Sequence, residues 1–188
     1  MATMAFLVNP KAVLFVALLC AAGSSFLPRS SSSDALSLIT QTCRRTAHES
    51  LCVSVLRSSK GASTAATVQD LAVAALATAR RATLRAKLRA LDLVHDGAAN
   101  KGTAAVVDLL ARCNTLYSDC LRASSKVTGM VSMGTFDGAA DAAGALRGFP
   151  ERCEGLFAAR RIASPVGHEN GEMEEKLGVS YEIIRLLR

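Results

Sequence analysis

Cysteines, histidines and arginines carry most of the chemical capacity of this chain. Its 188 residues include six cysteines. Cys20 sits in an apolar N-terminal run. The other five, Cys43, Cys52, Cys113, Cys120 and Cys153, fall in stretches rich in Ala and Leu. Thiols can ligate metals, attack electrophiles or pair. The first use is disfavoured by pattern, since no Cys-x-x-Cys and no His-Glu-x-x-His occurs. Pairing fits better. Cys43 and Cys52 are nine residues apart, about 13.5 Å along a continuous helix. A disulfide needs Cα atoms roughly 4.4–6.8 Å apart, so bonding these two requires the chain to reverse between them. Cys113 and Cys120 share a helix face but are separated by about 10.5 Å, too far to bond each other. Cys153 lies on the next long helix, which must run antiparallel, so it can reach one of the two. One thiol is then left over, either a small core residue or a link between molecules.

Acid–base and nucleophilic chemistry find little support. His48, His95 and His168 stand at expected turns or helix ends, and no Gly-x-Ser-x-Gly elbow is present. The glycines between Gly129 and Gly138 lack the pattern and the lysine of a phosphate loop. Glu172, Glu174 and Glu175 cluster where a last helix should begin, and carboxylates there complement the helix dipole. The chain therefore reads as non-catalytic and without a cofactor or metal. Arg81, Arg85 and Arg89 are four residues apart and share a helix face, flanked by Arg80 and Lys87. They form either a solvated face or a strip that docks on an acidic surface. Nucleic acid is a poor match, because aromatics for base stacking are only 4% of the chain and Trp is absent.

These residues must be positioned by helices. Hydrophobic residues make up 50% of the chain, dominated by Ala and Leu, which favour helix over strand. Asp34 can cap a first helix reaching Cys43. A turn near Thr46–Glu49 leads to a second, ending before Ser58, and Ser59–Ser63 reads as a loop. A long helix follows from about Thr67 to His95, with Leu71, Ala75, Ala79, Leu84, Leu88 and Leu91 as its apolar positions. Gly97 reads as a stop and Asn100 as a new cap. The next helix spans about Lys101–Val131, its stripe marked by Val106, Leu109, Leu110, Cys113, Leu116, Tyr117, Cys120 and Leu121. A further element runs from Asp137 to Ile162, bent at Gly148-Phe149-Pro150. The last begins near Asn170–Glu172 and closes on Leu177, Tyr181, Ile184 and Leu187. Short links between long helices predict an all-α, up-and-down four-helix bundle with an N-terminal helical hairpin, stapled by disulfides.

Residues 1–24 read as a secretory signal peptide. Lys11 supplies charge, Ala12–Ala22 an apolar run, and Ala21–Ser25 the small residues of a cleavage site. The run is short for a membrane span, which needs about 20 apolar residues. Residues 25–33 read as a flexible mature N-terminus and 34–188 as one domain. The formal charge of +6 suits an acidic partner or a polyanionic surface. Export to the outside of the cell agrees with the cysteine usage.

Four blocks in order resemble the plant invertase and pectin methylesterase inhibitor family. The first is Ile39-Thr40-Gln41-Thr42-Cys43 followed by Thr46 and by Cys52-Val53-Ser54-Val55-Leu56. The second is Cys113-Asn114-Thr115-Leu116-Tyr117, with a tyrosine four residues after the cysteine. The third is Ala142–Leu146 with Pro150–Phe157 around Cys153. The fourth is Ser164-Pro165-Val166, Asn170 and the closing Ile183–Leu187. The resemblance covers about residues 34–187. It implies disulfides Cys43–Cys52 and Cys113–Cys153, with Cys120 as the free thiol. It also implies a one-to-one complex with a secreted carbohydrate-active enzyme, so that the strip of Arg81, Arg85 and Arg89 would dock on an acidic enzyme rim or on deesterified pectin. Some members lay bundle helices across the pectin methylesterase cleft. Others insert the turn ahead of the fourth helix, carrying Pro-Lys-Phe, into acid invertase. Here that stretch is Gly134-Thr135-Phe136, which keeps only the phenylalanine, so the resemblance points to pectin methylesterase as the target and acid invertase as the alternative. The implied site is the apoplast or cell wall, with the vacuole as a second compartment. A secreted helical ligand carrier is the remaining rival, without the adjacent cysteine pairs of lipid-transfer folds.

Overall fold

The computed structural model describes residues 32–99 and 103–188. The signal-peptide reading, most of the expected flexible N-terminus, and the Asn100 cap with the Lys101 start lie outside the described residues. Within them the chain is helical: α1 (Ser32–Cys43), α2 (Glu49–Arg57), a 3-10 turn (Lys60–Thr64), α3 (Val68–Ala99), α4 (Ala104–Ser132), α5 (Phe136–Leu146), α6 (Gly148–Ala158) and α7 (Gly167–Arg185). No strand occurs among the described residues.

The long α3 starts on a reciprocal cap. The Asp70 amide donates to Thr67 Oγ1 at 3.1 Å, while Asp70 Oδ2 accepts from the Thr67 amide at 2.9 Å and the Ala66 amide at 3.0 Å. Helix-start donors that would otherwise go unpaired are satisfied in this way. The hydrogen bond from the Thr67 hydroxyl is the chief cause that holds the Asp70 carboxyl below its ordinary pKa.

The α4 helix ends on a left-handed turn. Gly134 has φ +75°; its amide reaches Val131 O at 3.1 Å, and the Thr135 amide reaches Met130 O at 3.0 Å. Glycine meets that φ without a Cβ penalty. The break between α5 and α6 has a local cause. Pro150 lacks an amide hydrogen, and its ring would crowd the carbonyl four residues back, which is that of Leu146, the last residue of α5.

The bundle is a square. α3 packs against α4 and α7, and the broken α5–α6 rod closes the opposite corner against α4 and α7. The α1–α2 hairpin and the 3-10 turn lie against α3, with α2 also touching α7. The four-helix bundle with a preceding hairpin is therefore the observed architecture. Several details differ from expectation. Ser59–Ser63 largely forms the 3-10 turn, because Ser59 is buried and donates its hydroxyl to Ala74 O at 3.1 Å. Gly97 does not stop α3, which continues to Ala99. The last helix begins at Gly167, three residues early.

The largest correction concerns α3. Leu84, Leu88 and Leu91 are not core: they are 46%, 51% and 40% exposed. The buried line is Leu71, Ala75, Ala79, Ala82, Ala86 and Ala90. Stepping from Ala79 to Leu84 advances five residues, about 140° beyond one full turn, so those leucines fall on the far side of the helix. Small side chains on the inner side let α4 and α7 approach closely. The centre is filled from the other helices by Leu110, Tyr117, Leu146, Phe157, Met173 and Ile183.

Candidate functional site

The hairpin and the bundle are each stapled once. Cys43 ends α1 and bonds Cys52 in α2, with Cα atoms 5.5 Å apart. The chain reverses between them in a turn closed by the Thr46 amide and hydroxyl, at 3.0 and 2.6 Å from Cys43 O. Cys113 of α4 bonds Cys153 of α6, with Cα atoms 5.1 Å apart. Cys120, about two turns on from Cys113 along the same face of α4, is free and buried. Burial pushes its thiol pKa up, so it stays protonated and is a poor nucleophile.

A buried polar cluster surrounds the second staple. Tyr117 donates its hydroxyl to Asn170 Oδ1 at 2.7 Å. The Asn170 amide group donates to Glu154 Oε1 at 2.5 Å and lies 3.3 Å from Cys153 Sγ. Burial drives the Tyr117 pKa upward, keeping the phenol neutral. These contacts lock α4, α6 and α7 at one level. In the sequence Asn170 stands out as a helix start and as part of the fourth family block; its buried role could have been suspected from Tyr117, which needs a partner when buried.

The sequence-selected turn lies at one end of the bundle. Gly134 is spent on the helix cap. The Thr135 hydroxyl folds back to Met130 O at 3.0 Å, and Phe136 is half-buried. The tip is therefore Met133, 73% exposed. The neighbouring charge is the Asp137 carboxylate, 3.4 Å from Arg188 Nε. Arg188 also donates to Asp141 Oδ1 at 2.5 Å, tying the C-terminal residue to α5.

Arg81, Arg85 and Arg89 lie along one edge of α3 but do not act alike. Arg85 Nη2 donates to Glu172 Oε2 at 2.7 Å, and Arg89 Nε stands 4.0 Å from Glu169 Oε1. Both acids belong to α7. The Arg85 hydrogen bond is the chief cause that lowers the Glu172 pKa. Arg81 reaches only Thr78 Oγ1, at 2.9 Å. Neighbouring Arg80 donates to Leu121 O at 3.0 Å and to Ser125 Oγ, bridging α3 to α4. Two-thirds of the stripe is thus engaged in holding α3 against α7, and Arg81 is the member turned outward.

The histidines occupy peripheral places. His48 Nδ1 is 3.1 Å from Glu182 Oε1, and the Ala47 amide donates to Glu182 Oε2 at 3.1 Å, so this pair fastens the hairpin turn to α7. His95 lies beside Asp96, and His168 is exposed at the start of α7. Two larger grooves mark the surface. One, of about 910 Å³, runs between the hairpin turn and α7 past Leu51, Tyr181 and Glu182. The other, of about 550 Å³, lies between α3 and α4 and is lined by Val73, Ala77, Leu84 and Leu121.

A comparison with curated proteins returns no match. The family model described as plant invertase/pectin methylesterase inhibitor matches residues 37–183, from α1 to the last turn of α7. It takes in both disulfides, the Tyr117–Asn170 cluster and the turn at Gly134. Members of that family are protein inhibitors of pectin methylesterase or invertase. With both staples in place on a four-helix bundle, the chain belongs to the plant invertase/pectin methylesterase inhibitor family.

Proposed function

We propose that this protein is a secreted, non-catalytic inhibitor that blocks the cleft of a pectin methylesterase in a one-to-one complex. Residues 1–24 are its export signal, residues 25–33 a flexible leader to the domain of residues 34–188, and the cell wall is its place of action. The observation that carries the choice of target is the turn Gly134-Thr135-Phe136. A turn that enters a sugar pocket through Pro-Lys-Phe offers a rigid backbone and a cation. Here φ at position 134 is +75°, whereas proline is held near −65°, so the α4 cap is incompatible with the proline form. Thr135 turns its hydroxyl back to Met130 O, and the adjacent charge is the Asp137 carboxylate. A missing charged contact in a desolvated cleft commonly costs about 2–5 kcal/mol, enough to turn a nanomolar complex micromolar.

Acid invertase is the second reading, because the Ser164-Pro165 segment ahead of α7 resembles that of the invertase-directed members. The test is a titration of the oxidised protein against one pectin methylesterase and one acid invertase at the acidity of the cell wall. Tighter inhibition of the pectin enzyme is expected; tighter inhibition of invertase would reverse the assignment. Inhibition of neither would reject the inhibitor reading.

A further inference from the structure

The geometry points to the outward face of α3, built on Leu84, Leu88 and Leu91, as the docking surface for an acidic protein partner, the inhibited enzyme. The inference rests on the inhibitor reading above and names the surface that performs it. Three of the large apolar side chains most exposed among the described residues belong to this one helix: Leu84, Leu88 and Leu91, at 46%, 51% and 40%. Their 4-3 spacing keeps them within about 60° of one another around the helix. The stripe runs into the α3–α4 groove, where Val73, Ala77 and Leu121 join Leu84 beside Arg80, Arg81, Ser125 and Thr128. Val73 to Leu91 spans about 27 Å. Contiguous exposed apolar surface with a polar border is the usual mark of an interaction site.

The border identifies the occupant. Arg80 and Lys87 lie along one edge and Arg81 along the other; none of the three makes an ion pair in the contacts described for them. On the other edge Arg85 is neutralised by Glu172, and Asp92 is exposed. The rim is therefore net cationic, which suits apolar side chains set among carboxylates. A second copy of this chain fits poorly. A twofold antiparallel pairing centred between Leu84 and Leu88 would set Lys87 beside its own counterpart, and like charges at such positions are destabilising. A free inhibitor needs this face open, and leucines held half-exposed by a rigid helix lose little freedom on docking.

The experiment uses the full chain expressed with its own N-terminal segment and purified from the medium. Binding to a pectin methylesterase and to an acid invertase is measured for the wild type, for Leu84→Glu with Leu88→Glu, and for the milder Leu84→Ser with Leu88→Ser. Met133→Ser serves as the competing turn-tip variant. The Glu pair should weaken the enzyme complex by about 100-fold and the Ser pair by about 10-fold, with unchanged circular dichroism; should the Glu pair misfold, the Ser pair decides. Wild-type affinity in a folded Ser pair overturns the inference, as does a loss confined to Met133→Ser. Concentration-dependent dimers abolished by the Ser pair would give the face to a second copy, and wild-type binding to phosphatidylserine vesicles alone would give it to a membrane; either result overturns it. Binding to invertase only, lost in the leucine variants, would keep this surface and reject the proposed target. Binding to neither enzyme rejects both.

Discussion

The two long faces of α3 invert the usual relation between side-chain size and burial. The inward face is lined by Ala75, Ala79, Ala82, Ala86 and Ala90, each at most 1% exposed. The outward face carries Leu84, Leu88 and Leu91, each at least 40% exposed. Both obey the helical period, so apolarity does not decide which one is core. What decides is that α3 touches α4 on one side and α7 on the other, and small residues allow that close approach. Leu71 and Leu76 are buried near the start of the helix, but from Ala79 to Ala90 leucine on the inner side would hold the neighbours apart. On the outer side it stays 40–51% exposed, so packing alone gives less reason for its presence there.

Moving side-chain size from one face to the other should have the largest effect. Ala86→Leu adds three heavy atoms where exposure is 0%. Overpacking of this kind costs about 1–3 kcal/mol, with helix propensity nearly unchanged. Urea unfolding should show a clear loss of midpoint in the oxidised protein. A midpoint equal to wild type would mean that the interior has slack and that the alanine face is not set by packing.

The architecture was legible because it rests on long local signals. Helix-favouring composition, short links and cysteine spacing fix the hairpin and the antiparallel order. The sense of the α3 stripe was not legible, because attention to leucine follows transfer energy, while this interface is governed by contact distance. Counting forward in steps of three and four from Leu71 leads through Ala75, Ala79, Ala82, Ala86 and Ala90, so the signal was present but carried by alanine. The state of the arginines was beyond sequence reach. Whether Arg85 and Arg89 are free depends on Glu172 and Glu169, which lie eighty or more positions away along the chain. The turn at Gly134 was located correctly on the chain, but that its glycine closes α4 becomes visible only with φ at +75°.

The start of α3 orients both faces at once. Thr67→Ala removes the hydroxyl that Asp70 uses and should cost about 1 kcal/mol. The same change removes the main influence that keeps the Asp70 carboxyl below its ordinary pKa. A depressed carboxyl contributes stability above the unfolded pKa, near 4, and that contribution fades as pH falls through the folded value. The gap in melting temperature between wild type and Thr67→Ala should therefore narrow below about pH 4. A gap that persists undiminished in acid would show that the cap acts through its geometry rather than its charge.

Arg85 marks the edge between the two faces. Its partner Glu172 is depressed chiefly by the Arg85 hydrogen bond, so by the same sign argument the pair helps at neutral pH and stops helping once Glu172 is protonated. Both side chains are well exposed, at 54% and 35%, so Arg85→Gln should cost about 0.2–1 kcal/mol. The loss should shrink further at high salt. Melting curves at two salt concentrations measure this directly, and a loss independent of salt would count against the ion pair as its source.

The smallest expected effect is the most discriminating. Leu88→Gln replaces an exposed leucine with a residue of similar helix propensity. Its side chain already faces water over half of its area, and surface substitutions of this type stay within about 0.5 kcal/mol. Urea midpoints of wild type and Leu88→Gln should therefore coincide, in contrast to the loss from Ala86→Leu two residues away. Equal and large losses at both positions would mean that Leu88 is covered in the folded protein, by the leader or by a second copy, and the outward face would then be core after all. Coincident midpoints would leave Leu88 without a folding role. The reason for leucine at that position would then have to be sought in what the face binds.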